Sequence, residues 1–450
     1  MKNQTSKISL ALTAVLLLPA LLAGCSTSQP APAKDTAAPG TASPQAKTTP
    51  QETIQLRFGW WGAQDRHDRT LKVIELYEKQ NPHVKISPEF AGNDGYWEKM
   101  ATQAAGKNLP DIMQMSLLYL SEYKDRGLVA NMDPFVKSGV LDLSDVDGVY
   151  TSSGKLNNAL YALNIGSNSM AMAVDPELYK KAGVPLPPPG QTWKQYMDEA
   201  RKLKAALGTG TYVKGASSFP GFNYYLNGSG QKLYNAEGTA LAFDKKYLIE
   251  FYTMFKTLMD EGVYPPPQVS ANVKALEDEL IVHGKAPNQE LYSNQIVSLT
   301  KAAGRPLKLA MIPIVEGEGK NKSYFIRAGQ FLSISANSRN TEEAAKFVSF
   351  FTNSLEANEI LNAERGIPVA AKVRKFLYPK LDPASQEMFD FLEIAAKYAG
   401  EDVPRPKGES NIIAAYLRGL ETISYGQATP EKAANDFIDA ANKILEKNKK

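Results

Sequence analysis

From residue 53 onward, apolar and polar positions switch between two periods. Thr53-Ile54-Gln55-Leu56-Arg57-Phe58 alternates and runs into Gly59-Trp60-Trp61-Gly62, which predicts a strand ending in a loop. Across residues 69–79, Leu71, Ile74 and Tyr77 recur at helical spacing, and Asn81-Pro82 stops the helix. Residues 83–90 alternate again, 96–106 read as a second helix, and 111–115 as a short buried strand. Strands alternating with helices predict a parallel-rich α/β sheet. In open sheets of that kind, ligands sit beyond the carboxyl ends of the strands.

A second α/β region begins after residues 160–165. Residues 170–175 form a strand candidate, and Pro176 opens a helix that ends near Gly183. Pro187-Pro188-Pro189-Gly190 is a loop, after which Thr192 is placed to cap a helix beginning at Trp193. Residues 248–259 and 273–282 predict further amphipathic helices. From Thr341 onward the chain reads as mostly helical, with starts at Thr341 and at Thr429-Pro430-Glu431. No internal repeat recurs at a fixed period.

The first 52 residues follow other rules. Lys2 and Lys7 precede an apolar stretch over 8–18, and Leu22-Ala23-Gly24 leads into Cys25, the only cysteine of the 450 residues. This is the pattern of a lipoprotein signal: 1–24 as signal peptide, Cys25 as the lipidated residue. The stretch is interrupted by Ser9, Thr13 and Pro19 and is too short to span a bilayer. Two acyl chains on Cys25 would suffice for stable anchoring. Residues 25–52, rich in Ala, Pro, Thr and Ser, offer no apolar periodicity and read as a flexible linker. The expected location is the outer face of a cell membrane.

With Cys25 taken by lipid, no thiol remains for a disulfide, a metal or a nucleophile. Hydrophobic residues make up 43% of the chain, so a large apolar core can take over the stabilising role. About 400 residues after the linker favour two domains. The net charge is +3, with Lys2 and Lys7 supplying two of those charges and no basic stripe elsewhere, which argues against nucleic-acid binding. His67, His83 and His283 lack metal-ligand spacing, no G-x-S-x-G or phosphate-cradling glycine pattern occurs, and neither metal nor cofactor is expected. An enzyme acting on polysaccharide through two carboxylates is the weakest reading.

Aromatic residues near strand ends carry the stronger signal. Trp60 and Trp61 are neighbours on a strand and point to opposite faces, so both cannot enter the same core layer; one is expected to face the ligand side, with core or loop packing of both as the alternative. Trp97, in Tyr96-Trp97, is open to either a core or a ligand role. An aromatic face packs on the C–H surface of a sugar while flanking polar groups bind its hydroxyls. Candidates for those polar groups are Gln64, Asp65, Gln114 and Asn164. Phe222 and Tyr224, in the aromatic stretch 218–225, belong to a loop that either caps a ligand or pins itself to its own core. Arg66, His67 and Arg327 are the candidate cations, with a solvated or interdomain ion pair as the alternative for each arginine.

Several of these segments carry a resemblance. Trp60-Trp61-Gly62, Arg66-His67-Asp68 and the run 70–86 resemble family 1 extracellular solute-binding proteins. So do Tyr96-Trp97-Glu98-Lys99, Asn108-Leu109-Pro110-Asp111-Ile112, Lys181-Ala182-Gly183-Val184, Thr192-Trp193, Arg365-Gly366-Ile367-Pro368-Val369 and Glu431-Lys432-Ala433-Ala434, in family order. Within the family, the Trp-Trp-Gly and Glu-Arg-Gly-Ile-Pro-Val signatures look closest to the branch serving rhamnogalacturonan (pectin-fragment) importers in Bacillus. The chain departs from that branch at Pro287-Asn288-Gln289-Glu290, where the branch has Thr-Trp-Asn.

The resemblance implies a two-lobed α/β fold of the type II periplasmic-binding-protein kind, with a ligand cleft between lobes and a largely helical C-terminal part. Mapped on this chain, the first lobe holds 53–165 plus 290–327 and the second 166–289 plus 328–450. Crossovers near Ile165, Gln289 and Arg327 then place Asn164, Asn288 and Arg327 at the back of the cleft. The implied function is capture of an oligosaccharide for the permease subunits of an ABC importer, by a monomer tethered to a Gram-positive cell. The branch implies an acidic pectin fragment. A neutral oligosaccharide such as a xylo-oligosaccharide, or a role in sugar sensing, is the alternative.

Overall fold

The computed structural model describes residues 53–450, apart from 216, 274, 318–322, 401–404 and 450 and the side chains of 94 and 449. Cys25, the expected signal peptide and the expected linker lie outside the described residues. Two sheets organise the rest, built from β1 (Ile54–Trp61), β2 (Val84–Ala91), β3 (Ile112–Met115), β4 (Leu163–Asn168), β5 (Met170–Val174), β6 (Asn288–Tyr292), β7 (Lys308–Ala310) and β8 (Arg327–Ile334). The first sheet runs β2-β1-β3-β8-β4 and the second β6-β5-β7. β1, β2 and β3 are mutually parallel, and β8 lies antiparallel between β3 and β4. The second sheet is antiparallel throughout, so the parallel-rich expectation holds only for the first.

The alternation of β1 does the sorting. Leu56, Phe58 and Trp60 enter a core with α1 (Gln64–Gln80), while Gly59 and Trp61 face the opposite side, where Tyr96 sits beside both. That second side is covered by α2 (Asn93–Ala105) and α3 (Leu117–Asp125). The sheet is thus buried on both faces, as a parallel arrangement requires. Pro88 sits within β2 because β2 is an edge strand and need not donate outward. The helices α4 (Thr341–Asn353) and α5 (Leu355–Leu361) complete the core around Phe58. The second sheet packs in its own core with the C-terminal helices Glu409–Ser424 and Pro430–Leu445.

Local signals account for most boundaries. Thr192 caps Trp193–Leu207 in a full capping box with Gln195. Asp175 caps Pro176–Ala182, which ends at left-handed Gly183. Residues 273–282 do not form the expected amphipathic helix; a short 3-10 turn, Leu276–Asp278, stands there. The aromatic stretch expected as a loop is the helix Phe219–Gly228, capped by Ser218 with Pro220 in its first turn.

The expected division of the chain between lobes needs correction. β6 and β7 flank β5 in the second sheet, whereas β8 returns to the first. Residues 290–310 therefore belong with the second sheet and 328–334 with the first, the reverse of the expectation. The chain passes between sheets at Ser169, between β4 and β5, and at Ile326, ahead of β8. It passes again near Arg365-Gly366-Ile367, where the first core ends at Leu361 and the second takes up Ile367. No passage occurs at Gln289, which lies inside β6.

Candidate functional site

Strand register defines one functional edge. β1 ends at Trp61, β3 at Met115 and β4 at Asn168, while β8, running the other way, begins at Arg327 opposite Asn168. All four points lie on the carboxyl edge of the parallel strands, where open α/β sheets hold ligands. The second sheet meets this edge through Tyr292, paired with Met170 just beyond the first crossover.

The crossovers are lashed together closely. Ser167 and Ile367 bridge through two backbone bonds of 2.8 and 3.1 Å. A Cβ at Gly166 would lie 2.1 Å from the carbonyl oxygen of Arg365, so only glycine admits that approach. Gly366 has φ +113°, a conformation that L side chains rarely adopt. Two expected ligand residues serve this framework instead. Asn164, fully buried, donates to Ser167 Oγ and Tyr150 O and accepts from Gly166 N. Tyr224 accepts from Met170 N, lies 3.1 Å from Ser169 Oγ and donates to Phe325 O. The tyrosine thereby ties the first crossover to the second.

The tryptophan pair is resolved by exposure. Trp60 has none and donates its indole N–H to His67 Nδ1 at 3.1 Å, so it belongs to the core. Trp61 is half-buried and starts a run of rings at the functional edge. It lies 5.3 Å from both Tyr96 and Trp97, and Trp97 lies 4.0 Å from Tyr119 at an interplanar angle of 33°. Trp61, Trp97 and Tyr119 all retain accessible surface. Sequence reasoning missed Tyr119. The available signal was its place just past the buried strand β3, in the first turn of α3.

Most of the expected polar and charged candidates are already engaged. Arg66 is held on the Glu364 carboxylate at 2.7–2.9 Å. His67 is buried, and that desolvation, followed by the Arg66 charge, lowers its pKa from the usual imidazole value. Gln114, with no exposure, donates to Trp61 O at 3.1 Å and accepts from Arg365. Exposed Gln64 and Asp65 bond to Asp68 and Arg69 along their own helix. Phe222 is enclosed by Phe243, Phe251 and Tyr416 in the second core. Asn288 stands opposite Val174, at the far end of β6 from the crossover, and accepts from Lys214 N.

Arg327 differs. It is exposed at the functional edge, its guanidinium 4.9 Å over the Tyr292 ring and bonded to the Tyr292 hydroxyl, with no carboxylate partner among the described residues. Tyr292 also went unread in the sequence. Elsewhere in the second lobe, two cavities of about 340 and 310 Å³ open beside the Lys214–Glu279 ion pair, and neither includes the stacked rings. Glu290, at the rim of one, accepts from Ser218 Oγ and N, and burial pushes its carboxyl up to about 7.

A partly accessible aromatic run and an exposed arginine bonded to a phenol lie on an edge joined to the second lobe by three crossovers, an arrangement suited to holding a small polar molecule. The comparisons agree with that architecture. A family 1 extracellular solute-binding protein of Alicyclobacillus acidocaldarius superposes with a TM-score of 0.79 at 30% identity, over 88% of this chain and 100% of that one. A periplasmic oligogalacturonide-binding protein of Yersinia enterocolitica gives a TM-score of 0.76 at 24% identity, with the same coverage. The multiple sugar-binding protein of Streptococcus mutans is 22% identical over 367 residues, 77% of this chain and 82% of its own length. Residues 65–354 match the bacterial extracellular solute-binding protein family. By that match the chain belongs to the family of bacterial extracellular solute-binding proteins.

Proposed function

We propose that the protein captures an oligosaccharide outside the cell and delivers it to the permease subunits of an ABC importer, held at the membrane by a lipid on Cys25. The observation that carries the sugar reading is the accessible run of tilted rings Trp61–Trp97–Tyr119 at the carboxyl edge of the first sheet. Such rings match the C–H faces of successive sugar residues. Arg327 gives the site a cation bonded to a phenol, free to exchange toward a ligand carboxylate. That arrangement supports an acidic pectin-type fragment over a neutral one, because a carboxylate buried without a partner is costly. The Yersinia relative is named for an oligogalacturonide and the Streptococcus relative for multiple sugars.

Capture proceeds by closure of the two lobes about the crossovers. Closure buries the sugar only when both lobes contribute contacts, and the ligand shifts the equilibrium only by binding the closed form better. Among the described residues no helix is long and apolar enough to cross a membrane. Calorimetry against digalacturonate, unsaturated galacturonyl-rhamnose, xylo-oligosaccharides and gluco-oligosaccharides tests the proposal. Preference for the two uronates supports it. Equal or tighter binding of the neutral sugars replaces the acidic ligand with a neutral one, and turnover of any of them overturns the binding-protein reading.

A further inference from the structure

The last residue of β1 is held from an unexpected direction. β3 pairs with β1 only at Phe58 and Gly59, so the sheet ladder on that side ends two residues before Trp61. Side chains take over there. The Trp61 carbonyl accepts from Gln114 Nε2 at 3.1 Å and from Arg66 Nη1 at 3.1 Å. Each donor is anchored in turn by the third crossover: Arg66 by Glu364, and Gln114 by Arg365 Nε at 3.3 Å. Arg365 also donates to Thr70 Oγ1 at 2.8 Å, and its guanidinium lies 5.4 Å over the Phe351 ring.

Arg365 is costly to place here. Its side chain is 3% exposed, and among the described residues Nη1 makes no hydrogen bond, its ion-pair contact being a Glu364 carboxylate oxygen 3.5 Å away. Burial, then the Arg66 charge, pull the guanidinium down to about 9, so it remains a cation at neutral pH. A buried, incompletely satisfied cation is an expensive way to fill space. The same residue's carbonyl abuts Gly166 in the first crossover.

We infer that Glu364 and Arg365 are positioning residues for the stacking tryptophan: through Arg66 and Gln114 they couple the third crossover to the orientation of Trp61. The inference rests on Trp61 being part of the sugar surface. When the lobes rotate about Gly366, the two side chains transmit the movement to the end of β1, and the ring platform is set by the state of the hinge. Both act on the carbonyl that fixes the Trp61 backbone, Glu364 through Arg66 and Arg365 through Gln114.

The test uses the full-length protein labelled with 5-fluorotryptophan, whose four fluorine resonances are assigned by single Trp→Phe variants. In Arg365→Met the Trp61 resonance shifts and broadens while that of Trp193 in the second core stays in place, and Arg365→Lys partly restores it. Affinity for digalacturonate falls about ten-fold in Arg365→Met, and less than about two-fold when Trp61 is already alanine, as coupling through one residue requires. An unmoved Trp61 resonance in a folded variant, or the same loss in both backgrounds, overturns the inference. Should Arg365→Met not fold, Glu364→Gln removes the Arg66 anchor at a partly exposed position and is read in the same way. If digalacturonate does not bind the wild type, the acidic-sugar reading fails and the fluorine spectra alone decide the coupling.

Discussion

Two clusters of three aromatic residues have opposite fates in this protein. Trp61, Trp97 and Tyr119 lie where parallel strands of the first sheet end, and their rings keep accessible surface. Phe219, Phe222 and Tyr224 lie on a helix of the second lobe, and all three are at least 96% buried. What separates them is where the elements sit: Trp97 and Tyr119 lie early in the helices that follow β2 and β3, beside Trp61 at the end of β1, whereas the ten-residue helix Phe219–Gly228 turns its rings into a core.

The comparison breaks most visibly at Phe222. Phe222→Ala should lower stability by about 3–5 kcal/mol, as truncation of an enclosed aromatic does, and leave sugar affinity unchanged in the folded fraction. Denaturant unfolding and calorimetry on the same sample check both halves. Reduced affinity with unchanged stability would move this cluster to the ligand surface.

Acidity should also act differently on the two lobes. The Glu290 pKa rises from 4.5 to about 7 on folding, so between those values the native state holds a proton that the unfolded chain releases. Its contribution is fully present below pH 4.5 and lost as pH rises through 7, a fall of about 2 kcal/mol between pH 5 and pH 8. His67, lowered in the first lobe, has the opposite sign, contributing above its unfolded pKa and failing as pH falls. Unfolding midpoints at pH 5 and pH 8 should therefore differ between wild type and Glu290→Gln, with the variant losing less at pH 8. Identical pH profiles would contradict the buried carboxyl.

At the ligand edge the expected effects are smaller and selective. Arg327→Ala should weaken digalacturonate by the worth of a charge-assisted contact, about 1.5–3 kcal/mol or roughly ten- to a hundred-fold, and a neutral disaccharide hardly at all. Trp97→Ala should cost about 0.5–1.5 kcal/mol for acidic and neutral sugars alike, since stacking ignores the carboxylate. Its melting temperature should stay near that of the wild type. Equal losses for Arg327→Ala on both sugars would remove charge from the recognition.

Much of the framework was legible in the sequence because it rests on local rules. The alternation of residues 54–58, the breaks at Asn81-Pro82 and the cap at Thr192 each depend on neighbours within a few positions. Sheet membership of Asn288–Tyr292 and Arg327–Ile334 depends on pairing with strands more than a hundred residues away, and the expected lobe assignment of these segments was reversed. At the edge, the opposite facing of Trp60 and Trp61 followed from strand geometry, but which one faced inward did not. The engagement of Arg66 by Glu364, nearly three hundred residues later, leaves no local trace. Phe219–Gly228 was the avoidable miss: Ser218 followed by Phe-Pro-Gly reads equally as an N-cap with proline in the first turn.

The central claim is that ligand rests on the first-lobe rings and not on the aromatic core of the second. The most direct measurement is the fluorine spectrum of the 5-fluorotryptophan protein during a titration with digalacturonate to saturation. The account predicts that the Trp61 and Trp97 resonances move with the binding curve, while those of Trp60 and Trp193, both buried in cores, hold their positions. A saturated protein in which Trp61 and Trp97 stay still would contradict it.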